Sequence, residues 1–160
     1  MKAVAVILVL ALIAAVAGVG YLYFTSNLEV SFDSVAAMDP LSRPDDFASL
    51  RASLDAGTFI GTRFDASPLP AAEDCLWYTW NLRLANKSFL QADAVEVQVT
   101  PMEGDLLQPG SASEYVLPPR SSGTLSVSML TSRSMHSVRE AIVTWYVWGL
   151  PFSARLTLGK

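Results

Sequence analysis

Cysteine and histidine are almost absent from this 160-residue chain, which has one of each, Cys75 and His136. A single cysteine cannot close an internal disulfide, so the chain is not a disulfide-stapled small domain. A structural zinc site needs three or four Cys, His or carboxylate ligands, and the lone Cys and His lie about sixty residues apart in the sequence. We therefore predict no metal site and no cofactor.

Basic residues are also scarce: there are 11 Lys and Arg against 15 Asp and Glu, a formal net charge of -4. The arginines occur singly along the chain, so no basic stripe is available for phosphate groups or anionic lipids. Nucleic acid is therefore excluded as a predicted partner.

Patterns that mark catalysis are missing as well. No Gly-x-Ser-x-Gly elbow orients a serine, and His136 lies in a serine-rich polar stretch that is typical of a surface loop. Cys75 follows Glu73 and Asp74, whose negative charges disfavour a reactive thiolate. We predict that the chain is not an enzyme, and a hydrolase is the least favoured alternative.

The chain opens instead with a long apolar run, 22 uncharged residues from Ala3 to Phe24. About 20 helical residues suffice to cross a bilayer core of roughly 30 Å. Tyr21, Tyr23 and Phe24 cluster at the far end of the run, where aromatic rings favour the headgroup region. Residues 1–24 are predicted to form a transmembrane signal anchor that contacts the lipid bilayer through residues 3–24.

The flanking charges predict the orientation of this anchor. Lys2 is the only charged residue before Glu29, so the positive flank, and with it the N-terminus, is expected in the cytoplasm. Residues 25–160 would then form a single extracytoplasmic domain. The alternative is secretion after cleavage of a signal peptide, because Ala15-Val16-Ala17 fits the small-x-small pattern; the retained anchor is favoured, because the apolar run continues to Phe24.

The remainder of the chain shows the two-residue period of β-strands. Leu76 to Ala85 and Ala94 to Thr100 alternate most clearly, and stretches rich in Pro, Gly and Ser separate seven or eight such segments. One short amphipathic helix is predicted from Asp45 to Ala56, with Gly57 as its C-terminal stop. The predicted fold class is all-β: an antiparallel β-sandwich with one short helix, behind a single N-terminal transmembrane helix.

The order of segments in the middle of the chain carries a resemblance to a known group of domains. An apolar strand and an Asn turn, Trp80 to Ser88, are followed by an amphipathic strand, a Gly104-Asp105 turn, Leu117-Pro118-Pro119, and a further strand, Thr124 to Leu130. That order resembles the immunoglobulin-like or fibronectin-III-like exported domains of the late-embryogenesis-abundant-14-like and FxLYD type, over about a third of the chain, although the Phe-x-Leu-Tyr-Asp motif is absent. The resemblance implies an immunoglobulin-like sandwich that acts as a binding or structural module.

Aromatic residues supply the candidate interaction surface. In a strand that runs through Trp145, Tyr146 and Trp148, successive side chains point to opposite faces, and Trp77 belongs to a similar run. Either the predicted helix covers the face that is turned away from the core, or an exposed aromatic patch remains there. The candidate surface consists of Trp77, Trp145, Tyr146 and Trp148.

Separately, Asn86-Lys87-Ser88 fits the N-glycosylation pattern on a predicted exposed turn.

Two functions of different classes follow from these features. The leading hypothesis is a membrane-anchored, non-enzymatic interaction or structural module of the cell envelope with a protein partner. The alternative is an extracytoplasmic ligand- or carbohydrate-binding domain that uses an aromatic platform. An aromatic platform facing solvent would favour the second hypothesis, and covered aromatics would favour the first.

Overall fold

A computed structural model describes residues 2–110 and 114–159. The chain begins with helix α1 (Lys2–Phe24), and the three residues Thr25 to Asn27 connect it to the first strand. A second helix, α2, spans Pro44–Asp55. The strands are β1 (Leu28–Met38), β2 (Gly61–Arg63), β3 (Cys75–Asn86), β4 (Asp93–Val99), β5 (Asp105–Pro109), β6 (Ser122–Ser132), β7 (Arg139–Val147) and β8 (Leu150–Leu158).

The strands form two antiparallel sheets. One has the order β1-β3-β6-β5-β2 and the other the order β4-β7-β8. Without the short edge strand β2, these orders are those of a constant-type immunoglobulin domain, with four strands in one sheet and three in the other. The predicted class, an all-β immunoglobulin-like sandwich with one short helix behind an N-terminal apolar helix, is confirmed.

The main core lies between the two sheets and follows the predicted alternation. On β3, Trp80, Leu82 and Leu84 are buried, whereas Arg83 between them is exposed. On β4, Val95, Val97 and Val99 point inward in the same way. This two-residue period arises because successive side chains of a strand leave opposite faces of the sheet.

Helix α2 covers the outer face of the five-stranded sheet at one end only. Phe47 is buried there with Cys75, Leu106, Leu107 and Leu130, and Leu50, Leu54 and Trp77 pack around this second cluster. The chain leaves the helix through Gly57, whose φ of 67° lies in the left-handed region that glycine adopts without strain. The helix therefore covers Trp77 of β3 but does not belong to the core that contains β7.

The cover provided by α2 can be tested through Leu50. We expect Leu50→Ala to lower the free energy of unfolding by about 2 kcal/mol, the low end of the range for this substitution, because the side chain is half-buried. Chemical denaturation of the full chain measures the effect. Leu41→Ala is the matched control at an exposed leucine and should change stability by less than about 0.5 kcal/mol. Equal stabilities for the two variants would show that α2 does not pack on the sheet.

The edge strands β4 and β1 differ in whether side chains bond to their outer backbone groups. The backbone of β4 is capped by Gln108, whose Oε1 accepts from Val99 N at 3.0 Å and whose Nε2 donates to Val97 O at 2.9 Å. Strand β1 is the first strand of its sheet, and its residues from Asp33 to Ala37 are all exposed. An edge strand presents unpaired backbone groups along its outer side. The second half of β1 is therefore the long open edge of the sandwich.

Candidate functional site

The four predicted surface aromatics do not form one patch. Trp77 pairs in register with Met38 of β1, at the end of the sandwich that α2 covers. Trp145 is only 5% exposed and stacks on Phe152 in the main core, with the ring centroids 5.9 Å apart. Tyr146 and Trp148 are exposed, at 41% and 55%. Trp145 and Trp77 are therefore corrected to packing residues, and two of the four remain on the surface.

Trp148 lies in a turn, not in a strand. Val147 and Leu150 are the last paired residues of the β7–β8 hairpin, so the connection is the two-residue turn Trp148-Gly149. Both residues have positive φ, 53° and 76°, as a two-residue type I′ turn requires. Glycine adopts this conformation freely, whereas a left-handed tryptophan costs roughly 1–2 kcal/mol. The hairpin tip therefore holds a large aromatic side chain at an energetic cost.

This hairpin tip lies at the end of the sandwich that receives α1. Tyr23, near the end of α1, contacts Phe152 of β8 with the ring centroids 4.9 Å apart. Phe152 is two residues from Leu150, where β8 begins. Leu28, the first residue of β1, pairs with Asn86, the last residue of β3. We call this end of the sandwich the junction end.

The β3–β4 connection at the junction end is organised by Asn86. Its Nδ2 donates to the carbonyls of Leu90, Leu117 and Pro118 at 2.8 to 3.1 Å. Its Oδ1 accepts from both the backbone N and the hydroxyl of Ser88. The side-chain amide is buried, and both its nitrogen and its oxygen are hydrogen-bonded inside the domain. The prediction that Asn86 lies on an exposed turn open to glycosylation is therefore wrong.

The same connection exposes a second aromatic ring. Phe89 is 61% exposed, and the guanidinium of Arg120 lies 4.0 Å from its ring centroid. Asp93, just beyond this connection, pairs with Tyr146, so Phe89 and the hairpin tip belong to the same end of the molecule. We give the name junction rim to three of the exposed apolar side chains of this end, Phe89, Trp148 and Leu150.

The charged residues near the junction rim balance one another. Lys87 lies 2.5 Å from Glu29 in an exposed ion pair. Arg120, which covers Phe89, and Asp93, which begins β4, add one charge of each sign. The junction rim is therefore apolar with nearly neutral surroundings.

The most buried charged group lies at the opposite end of the sandwich and was not predicted. Arg139, at the start of β7, donates from Nε and Nη2 to the two carboxylate oxygens of Asp105, at 3.0 and 2.6 Å. Both side chains are fully buried. Nη1 donates to the carbonyls of His136 and Val138, and Asp105 also accepts from Met102 N. Each nitrogen and oxygen atom at the ends of the two side chains thus has a hydrogen-bond partner in the pair's own surroundings, which is the arrangement of a structural element.

Cys75 and His136 show the environments that the sequence indicates. Cys75 is fully buried, and burial together with the charge of Asp74 raises the pKa of its thiol above the usual value. The thiol therefore stays protonated and unreactive at neutral pH. His136 is exposed, and its Nδ1 accepts from the backbone N of Val138. Neither side chain is arranged as a nucleophile or a general base.

A cleft of about 610 Å³ lies beside β4. Its polar lining includes Glu96, Gln108, Tyr115, Ser126 and Ser128. The side-chain amide of Gln108 is already hydrogen-bonded to the β4 backbone.

Among residues 2–110 and 114–159, no three His, Cys, Asp or Glu side chains gather in a group that could hold a metal ion.

Comparisons with known proteins add little to this geometry. No protein-family model matches the chain, and no curated protein matches it. Among solved structures it is similar to the cupredoxin domain of amoB from Nitrosocaldus yellowstonii, with 12% sequence identity, a TM-score of 0.32, and coverage of 84% of this chain and 90% of that one. A likeness at that TM-score indicates neither a function nor a cofactor.

Proposed function

We propose that this protein is a membrane-anchored, non-enzymatic interaction or structural module of the cell envelope. The observation that carries the proposal is the exposure of the apolar side chains of α1. The large apolar side chains from Val4 to Val19 are 52–66% exposed, and no residue of the most hydrophobic part of the span is buried against the sandwich. Apolar surface of this extent is not left in water, and a helix that satisfies its own backbone groups is suited to lipid.

The expected orientation rests on charge and on the connection. Lys2 is the first residue of α1, whereas Glu29 and Asp33 follow the helix in β1, which supports a cytoplasmic N-terminus and an extracytoplasmic sandwich. The connection is short and ordered, because the hydroxyls of Thr25 and Ser26 donate to carbonyls in the last turn of α1. The domain would therefore be displayed directly at the membrane surface.

The open edge of β1 is the surface that best suits a protein partner. Ser34 to Ala37 carry small or modest side chains, all exposed, so another strand could approach their backbone closely. Strand addition of this kind obtains affinity from backbone hydrogen bonds. Ala36→Lys, which places a charge on the edge, should weaken recovery of the partner by crosslinking in native membranes, while Arg83→Lys on the neighbouring strand should leave it unchanged.

The anchor is tested by extraction at alkaline pH and by sequencing the mature N-terminus. We expect the protein to stay in the membrane pellet with Met1 to Phe24 retained, and protease added from outside to reach the sandwich. A mature chain that begins at Gly18, free in the exported fraction, would establish the signal-peptide alternative instead.

The exposed Tyr146 and Trp148 favour the second candidate, a ligand- or carbohydrate-binding domain. The platform is smaller than the sequence predicts, because Trp145 and Trp77 pack inside. Binding of soluble oligosaccharides that is lost in Trp148→Ala, with the melting temperature unchanged, would support this alternative.

A further inference from the structure

The junction rim is the one place where exposed aromatic side chains, backbone strain and the end of α1 come together among the described residues. Helix α1 has 23 residues, or about 35 Å at 1.5 Å per residue, slightly more than a bilayer core of roughly 30 Å. Tyr21 and Tyr23 then fall in the headgroup region, as interfacial aromatics do. Because Tyr23 touches Phe152, β8 begins at that same level.

We propose that the junction rim, Phe89, Trp148 and Leu150, inserts into the headgroup region of the membrane that α1 crosses. This inference rests on the proposed function, since it requires α1 to span the bilayer. From Phe152 the hairpin continues for about 10 Å to its tip, at roughly 3.3 Å per residue, so Trp148 lies within about 10 Å of the level of Tyr23. The bilayer is then the surface that covers the exposed rings.

The connection to α1 keeps the rim in reach of the lipid. Three residues separate Phe24 from Leu28, a span of less than about 15 Å even when fully extended. Ser26 is buried and bonded back to Leu22 O, so the connection is not a free tether. The junction end therefore cannot withdraw from the membrane surface while α1 remains in it.

The chemistry of the rim selects a neutral lipid interface. Tryptophan and phenylalanine insert at the boundary between headgroups and acyl chains, and the Arg120 guanidinium above Phe89 is placed to reach a lipid phosphate. The surrounding charges cancel, so attraction to anionic lipid supplies little of the contact. The left-handed Trp148 fits this role, because strain is retained where a side chain serves a purpose other than stability.

The test uses the full chain with Cys75→Ala, reconstituted in phosphatidylcholine vesicles, with single cysteines that carry an environment-sensitive fluorophore. One is placed at Leu150 in the rim, one at Leu41 at the opposite end as an equally exposed control, and one at Val9 within α1. We expect headgroup-labelled quencher lipid to quench the probe at 150 several-fold more than the probe at 41. Anionic lipid or added salt should not change the ratio.

The remaining outcomes separate the two proposals. If acyl-chain quencher fails to reach the probe at Val9, α1 does not lie in the membrane and the proposed function fails. If the probe at Val9 is quenched but the probes at positions 150 and 41 are quenched equally, α1 lies in the membrane and the proposed contact of the junction rim with lipid is wrong. A probe at 150 that is shielded from aqueous iodide but not quenched by lipid would overturn it too, and would indicate a covering protein or second copy. Trp148→Gly should reduce lipid quenching at 150 without lowering the melting temperature.

Discussion

Replacing Arg139 by Met is expected to lower the free energy of unfolding by about 3–5 kcal/mol, a large part of the stability of a small domain. The substitution keeps an unbranched apolar stem but removes the charged guanidinium, so Asp105 is left buried with an uncompensated carboxylate. The carbonyls of His136 and Val138 lose their donor as well. Urea denaturation of the full chain in detergent micelles, followed by tryptophan fluorescence, measures the loss.

Two controls decide whether the ion pair causes that effect. Arg83→Met breaks the exposed pair with Asp33, 3.0 Å long, and should cost at most about 1 kcal/mol. The double variant Arg139→Met with Asp105→Leu should recover part of the loss, because no unpaired charge remains. A double variant less stable than Arg139→Met would contradict this account.

The second large effect is expected at Trp145, in contrast with its neighbour Trp148. Trp145→Ala removes a ring that stacks on Phe152 in the core, and should cost about 3–5 kcal/mol. Trp148→Ala should leave stability nearly unchanged, and Trp148→Gly should raise it by roughly 1 kcal/mol, because glycine relieves the left-handed backbone. The same denaturation experiment compares all three variants.

This comparison also tests the division of the aromatic residues between core and surface. Equal stability for Trp145→Ala and the unsubstituted chain would place Trp145 on the surface and restore the larger aromatic platform. A loss of several kcal/mol for Trp148→Ala would show that the hairpin tip is packed rather than exposed.

Local patterns predicted much of the fold. The alternation along β3 and β4 identified which side chains point inward, because the two-residue period is set by strand geometry alone. Helix α2 was predicted to within a residue at each end, since its apolar spacing and Gly57 are local signals. A β-prone stretch does not always become a strand: Leu117 forms an isolated bridge to Ala92, because β-propensity does not ensure a partner.

The candidate sites depended on contacts between distant segments and were harder to predict. Asp105 and Arg139 are 34 residues apart, and no local pattern links them. Asn86 resembled an exposed turn residue, yet its amide is enclosed by carbonyls of two other segments. The four aromatics were grouped by strand alternation, whereas Trp148 falls in the turn and Trp77 at the other end. Proximity across the sandwich, which topology decides, was the missing information.

The open edge of β1 has a consequence for how copies of this protein could meet. Strand β1 starts at the junction end and runs away from it, so copies anchored by α1 in one membrane would all carry this strand pointing the same way. Two such edges could face each other only in parallel, the slightly less stable pairing. The stronger antiparallel pairing would require chains from two opposing membranes. Anchoring by α1 would thus disfavour pairing between the β1 edges of copies in the same membrane. The same edge would remain available for antiparallel pairing with a strand that runs in the opposite direction.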